Sequence, residues 1–183
     1  MPVDATQSLM SHFPEDGFNP AAFLVENIGL LPRGKALDLA MGGGRNTVYL
    51  ARNGFEVEGV DISPDAVRAA TYLAARHNVK IKTCAADLEK DFQIEPAAYD
   101  LIICFNYLQR SLIPAIKGGI RQPGMVVYET FIVDHARFGK PKNPDFLLGH
   151  NELLDMFRDF RCLRYREGVF EDRALAGIVA QKV

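Results

Sequence analysis

Apolar, strand-like runs alternate with helix-patterned stretches along most of this chain, and that alternation restricts the fold more than any other feature. "GKALDLAM" (34–41) reads as a strand buried on both faces, because it is almost wholly apolar. "RNTVYLARNG" reads as a short helix ended by Gly54. "FEVEGVD" (55–61) alternates as a half-buried strand does, and Ser63-Pro64 supplies an N-cap and first helical position for "PDAVRAATYLAARHN". Strands are predicted at 79–87 and 99–106, then a helix at 111–120 with Pro114 in its first turn. A strand at 123–131, entered through a Pro-Gly turn, and a helix at 150–160 follow. "RCLRYREGVF" and "RALAGIVAQKV" close the chain as a strand pair. Upstream, Asn19-Pro20 predicts the cap and start of a helix that Gly29 stops. Such alternation implies an α/β fold with a doubly wound sheet of about seven mostly parallel strands, helices on both faces and an antiparallel C-terminal strand.

Residues 1–183 are expected to form a single domain, long enough to bury a core of its own. A net charge of −2 argues against nucleic-acid binding through the overall field, so no nucleic-acid partner is expected. Segment 1–18 is polar, with no apolar signal region, and no run approaches the roughly 20 apolar residues of a membrane span. A cytoplasmic location and no membrane partner are expected. Cys84, Cys104 and Cys162 are widely spaced in apolar runs and read as buried free thiols, with no metal site.

The first strand runs straight into Gly42-Gly43-Gly44, a place for a tight turn or a ligand against the main chain. A triphosphate loop would need a Lys-Ser or Lys-Thr pair, and none follows Gly42. A dinucleotide loop would need a third glycine where Thr47 stands. Asp61, ending the second strand, suits ribose hydroxyls in either class of adenosyl ligand. Asp38 discriminates: near the loop it would repel a pyrophosphate but suits a ligand with an ammonium. S-adenosylmethionine (SAM) has an ammonium, a carboxylate and no phosphate, and the N–H groups from Gly42 to Arg45 could receive its carboxylate. Asp38 has an alternative reading as a cap of loop amides, and Asp61 and Asp87 as helix caps or turn formers.

D-x-A-x-G-x-G from Asp38, "GVD" at 59–61, "AAD" at 85–87 and "FNYL" at 105–108 resemble class I SAM-dependent methyltransferases, which have a Rossmann-like sheet. "GGGRNTVYLARNGFEVEGVDIS", "FNYLQRSLIPAI" and "YETFIVDHARFGKPKNPDFLL" are similar to the tellurite-resistance-type branch of small bacterial methyltransferases. Ala40 departs from that pattern, which has glycine there. The resemblance implies SAM as cofactor and S-adenosylhomocysteine (SAH) as product. It places Asp38, Ala40, Gly42, Gly44, Arg45 and Asn46 around the methionine end, Asp61 and Ile62 at the ribose, Asp87 and Leu88 at the adenine, and Asn106 and Tyr107 beside the transferred methyl.

The acceptor is expected to be a small molecule, with an anionic or chalcogen compound such as tellurite as one candidate. "FNYL" lacks the prolines of the Asn/Asp-Pro-Pro-aromatic motif, which disfavours adenine- or glutamine-type amino methylation. Segment 132–149 reads either as a lid, with Arg137 and Lys140 facing an anionic acceptor, or as a solvated loop. Phe18, His12 and Phe13 are expected to reach the same rim. His135 and Tyr107 are the candidate bases. A short connection holding Arg173 joins the last two strands. A dinucleotide-dependent oxidoreductase and a non-catalytic SAM-binding module are the alternatives, and monomer or homodimer the expected assembly.

Overall fold

The computed structural model describes residues 18–90 and 92–183. Its strands are β1 (Lys35–Leu39), β2 (Glu56–Asp61), β3 (Lys82–Ala85), β4 (Tyr99–Phe105), β5 (Ile120–Phe131), β6 (Arg161–Phe170) and β7 (Arg173–Gln181). Its helices are α1 (Ala22–Asn27), α2 (Arg45–Arg52), α3 (Pro64–Arg76), α4 (Ile113–Gly119) and α5 (Glu152–Met156). One seven-stranded sheet has the order β3-β2-β1-β4-β5-β7-β6. The pairs β1–β2, β2–β3, β1–β4 and β4–β5 are parallel, whereas β7 is antiparallel to both β5 and β6. The expected antiparallel strand is therefore present, but it is wedged between β5 and β6. The order reverses between β1 and β4, and there the chain leaves the C-terminal strand ends in opposite directions and opens a crevice.

Alternate residues of the central strands enter two cores. Leu37, Ile102, Cys104, Val126 and Tyr128 pack with Ile116 of α4 and Leu153 of α5. Ala36, Leu101, Ile103, Phe105 and Val127 pack with Leu24 of α1 and Leu50 of α2. Burial on both faces explains why β1 and β4 read as continuous apolar runs.

The structure departs from the sequence expectation in three places. Helix α5 is only Glu152–Met156, entered through Asn151 at φ +61°. Helix α1 begins at Ala22, and its start is tied down from afar: Ala21 N–H donates to Asn46 Oδ1 at 2.8 Å. Phe18 is buried against α2 and α3 with Val48 and Ala74, away from the expected rim, while His12 and Phe13 lie outside the described residues. Ser63, by contrast, caps α3 as expected, its hydroxyl accepting from Ala66 N–H at 3.3 Å.

Among the described residues, no helix is long and apolar enough to cross a membrane. The cysteines divide by burial. Cys104 is buried and its thiol is pushed up to about 12 by desolvation. Cys162 is exposed on edge strand β6, which corrects the expectation for that residue. Thiol labelling of the native protein should modify Cys162 first and leave Cys104 unreacted until unfolding. Mass spectrometry of labelled peptides checks the order.

Candidate active site

Three left-handed residues turn the chain from β1 into α2: Ala40 (φ +54°), Gly42 (φ +55°) and Gly44 (φ +80°). Ala40 stands where the resembled pattern has a glycine, at a cost of about 1–2 kcal/mol for a side chain in that region. Gly44 has a second constraint, since a Cβ there would stand 2.5 Å from Ala70 Cβ of α3. Asp61 anchors the turn. Its Oδ2 accepts from Gly42 N–H at 2.8 Å and its Oδ1 from Ser63 N–H at 2.9 Å.

A cavity of about 360 Å³ opens at this turn, bordered by Asp38, Ala40, Gly42, Arg45, Asn46, Asn106 and Tyr107 among others. These predicted residues are thus brought together from β1, the glycine turn and the end of β4. Asp38 is buried, and burial pushes its carboxyl up to about 7 although Thr47 Oγ1 donates to its Oδ2 at 2.7 Å. Arg45 donates to the Asn19 carbonyl at 3.3 Å, and desolvation lowers its pKa. Asn106 adopts φ +56°, fixed by its N–H donating to the Glu129 carbonyl at 2.9 Å.

Gly44, Asp61, Ile62, Asp87 and Leu88 are not on that cavity's wall. Asp61 and Ile62 lie at the end of β2, with Ile62 66% exposed. Asp87 follows β3. Its carboxylate sits below the usual range because Glu89 N–H donates to it and Lys90 pairs with it. Leu88 is buried beside it. A larger groove of about 570 Å³ lies between α3 and the β2–β3 edge, lined by Thr71, Ala74, Ile81 and Lys82 among others, and none of the predicted site residues borders it.

The two candidate bases are otherwise engaged. His135 is buried and stacked on Phe131, with ring centroids 4.2 Å apart. Its Nδ1 accepts from Ala174 N–H at 3.3 Å, and its Nε2 is 3.1 Å from the Lys140 carbonyl. Both ring nitrogens therefore bridge backbone segments, so the candidate base His135 has neither nitrogen free in this arrangement. Tyr107 donates its hydroxyl to Gln109 Oε1 at 2.9 Å, and desolvation raises that phenol to about 12. Such a group is protonated at neutral pH.

Segment 132–149 is not free at its ends. Ile132 and Leu148 form a parallel bridge, and Leu147 and Leu148 are buried. Arg110 donates to the Asp145 and Leu147 carbonyls at 2.9 Å each and pairs with Glu152 at 2.6 Å. Arg137 pairs with Asp134, Lys140 is exposed, and neither borders the cavity.

A polar row beside the cavity escaped the sequence reading. Glu129 of β5, in register with Phe105, is a buried carboxyl group. Arg166 of β6 reaches it across Gly177 of β7, donating to Oε2 at 2.6 and 2.9 Å. A Cβ on Gly177 would lie 3.1 Å from that oxygen. Burial raises the Glu129 pKa against the opposing charges of Arg166 and Arg173, and burial together with the Arg173 charge lowers that of Arg45. The sequence signal was a lone glutamate in an apolar strand, whose partner lies 37 positions away.

Residues 36–122 match the family model described as "Methyltransferase domain". The structure superposes on that of TehB from Haemophilus influenzae with a TM-score of 0.76, at 22% identity, covering 89% of this chain and 62% of that one. Over residues 36–122 the chain is thus similar to a methyltransferase domain. The probable S-adenosyl-L-methionine-dependent methyltransferase TehB of Haemophilus influenzae is 27% identical over 143 residues, 75% of this chain and 49% of the relative. Hemagglutinin 1 of Eikenella corrodens is 30% identical over 141 residues, 74% of this chain and 46% of the relative. The chain spans about half the length of the curated relatives it matches. The same fold occurs in magnesium protoporphyrin IX methyltransferase from Synechocystis, solved with bound SAH (TM-score 0.66, 18% identity, 88% of this chain and 79% of that one).

Proposed function

We propose that this protein transfers a methyl group from SAM to a small-molecule acceptor. The observation that carries the reading is the cavity at the switch point, where Asp38, the glycine turn and the Asn106–Tyr107 segment meet. In this reading Asp38 receives the ammonium of the cofactor, and the amides at the start of α2 receive its carboxylate. Asp61 holds the ribose: each of its oxygens already takes one N–H, and each keeps a second lone pair. Asp87 and Leu88, beyond β3, take the adenine. SAM supplies an electrophilic methyl, and Asn106 and Tyr107 border the position it would occupy.

Displacement at a sulfonium methyl is in-line, so proximity and orientation carry most of the work, worth roughly 7–11 kcal/mol. A base is needed only for a protonated nucleophile. With His135 and Tyr107 occupied as described, an acceptor that arrives deprotonated fits best. Arg45 on the cavity wall and Arg173 nearby favour an anion, and the resemblance to the tellurite-resistance-type branch makes a chalcogen oxyanion such as tellurite one candidate. Arg137 and Lys140 would act only in attracting such an anion.

A dinucleotide-dependent oxidoreductase is disfavoured by Asp38, whose carboxylate would face a pyrophosphate. A non-catalytic SAM-binding module makes the same cofactor contacts without turnover. Calorimetry with SAH and with NAD, followed by an acceptor screen that includes potassium tellurite and detects SAH release, separates the three. SAH binding with release of SAH from SAM in the presence of an acceptor is expected. Tight NAD binding without SAH binding would end the methyltransferase reading.

A further inference from the structure

Thr47 stands where a dinucleotide-binding loop has its third glycine, and its side chain has a definite employment here. The residue is fully buried in the first turn of α2, and its hydroxyl donates to Asp38 Oδ2 at 2.7 Å. Strand β2 leaves space for it. Gly59 pairs with Asp38 in register, and a Cβ on Gly59 would lie 3.3 Å from Thr47 Oγ1 and 2.2 Å from Met41 Sδ. Asp38 itself borders the cavity. We infer that Thr47 is a positioning residue for the cofactor: its hydroxyl holds the Asp38 carboxylate in the orientation that receives the ligand's ammonium. The inference rests on the SAM reading above.

The chemistry follows from what surrounds Asp38. Burial disfavours its charge most, and the Asp61 carboxylate at the end of β2 adds to that. The Thr47 hydrogen bonds and the Arg45 charge at the head of α2 oppose it. From β4 it faces Cys104, a thiol that stays neutral. The balance pushes the Asp38 carboxyl up to about 7. Only the ionised form attracts an ammonium, and a carboxylate that takes one hydroxyl still has lone pairs for a second donor. Without the hydroxyl, the carboxylate would be both freer to rotate and harder to ionise.

SAH titrations by calorimetry between pH 5.5 and 8.5 test this. Wild-type affinity should rise with pH through about 7 and then level, with protons released on binding below that point. Thr47→Val should bind SAH about tenfold or more weakly at pH 7, the range for a hydrogen bond to a charged group. Its affinity rise should move to higher pH. Thr47→Ser should restore the wild-type curve, and Thr47→Ala serves if Val crowds the helix. A loss equal at every pH, accompanied by a lower melting temperature, would show a purely structural threonine and overturn the inference. So would curves that superpose. Failure of the wild-type protein to bind SAH at any pH would instead take down the cofactor reading, and this inference with it.

Discussion

Arg166→Ala should destabilise the fold by about 3–5 kcal/mol, the range for stranding the partner of a buried ion pair. Glu129 has a side chain only 3% exposed, and Arg166 supplies both of the hydrogen bonds found to its Oε2 among the described residues. The guanidinium also packs between the Phe23 and Phe170 rings, 4.6 and 4.8 Å from their centroids, so part of the loss is packing. The pH dependence identifies the charge contribution. Desolvation already raises the Glu129 pKa above its ordinary value despite Arg166, and losing Arg166 raises it further. A carboxyl with a raised folded pKa costs nothing electrostatically where it is protonated in both states, below about 4.5. Its penalty grows as pH climbs from there toward the folded value. Urea unfolding should therefore show a larger loss for Arg166→Ala at pH 8 than at pH 4.5. A loss under about 1 kcal/mol at pH 8 would mean that Glu129 finds water when its partner leaves, as exposed pairs do.

Asp61→Ala should weaken SAH binding by about 1.5–3 kcal/mol, close to 10- to 150-fold. Two losses coincide there. The proposed ribose contact disappears, and Gly42 N–H, held at 2.8 Å, loses its acceptor, so the glycine turn is no longer tied to the end of β2. Asp61→Asn keeps one acceptor oxygen for the two amides now served by Oδ1 and Oδ2, and should fall between wild type and alanine. Calorimetry with SAH measures the affinities, and thermal unfolding without ligand separates the loss of the loop anchor. Affinity within twofold of wild type for Asp61→Ala would remove Asp61 from the proposed cofactor site.

Much of the site was legible in the chain because local backbone demands leave marks. A glycine at φ +80° beside another helix cannot readily be replaced, so Gly44 announces the turn. Asp38 and Asp61 fall at strand ends because the strands stop where the sheet gives way to the crevice. His135 was misread for the opposite reason. Its side-chain chemistry is that of a base, but its employment depends on Ala174 and Lys140, and the first of these is 39 positions away. Segment 132–149 resembled a lid in composition. It is secured at its far end by Arg110, whose role no local pattern declares.

The sequence by itself determined the alternation of strands and helices, the two-faced burial of β1, and the tight glycine turn before α2. Each of these follows from side-chain periodicity or from φ/ψ limits acting within a few residues. Tertiary structure alone decided that β7 enters between β5 and β6 and that Asn46 restrains the start of α1. It alone brings Arg166 across Gly177 to Glu129 and gives Thr47 to Asp38. These arrangements satisfy polar groups that burial has cut off from water, and which partner does so depends on segments that meet only when the sheet has formed.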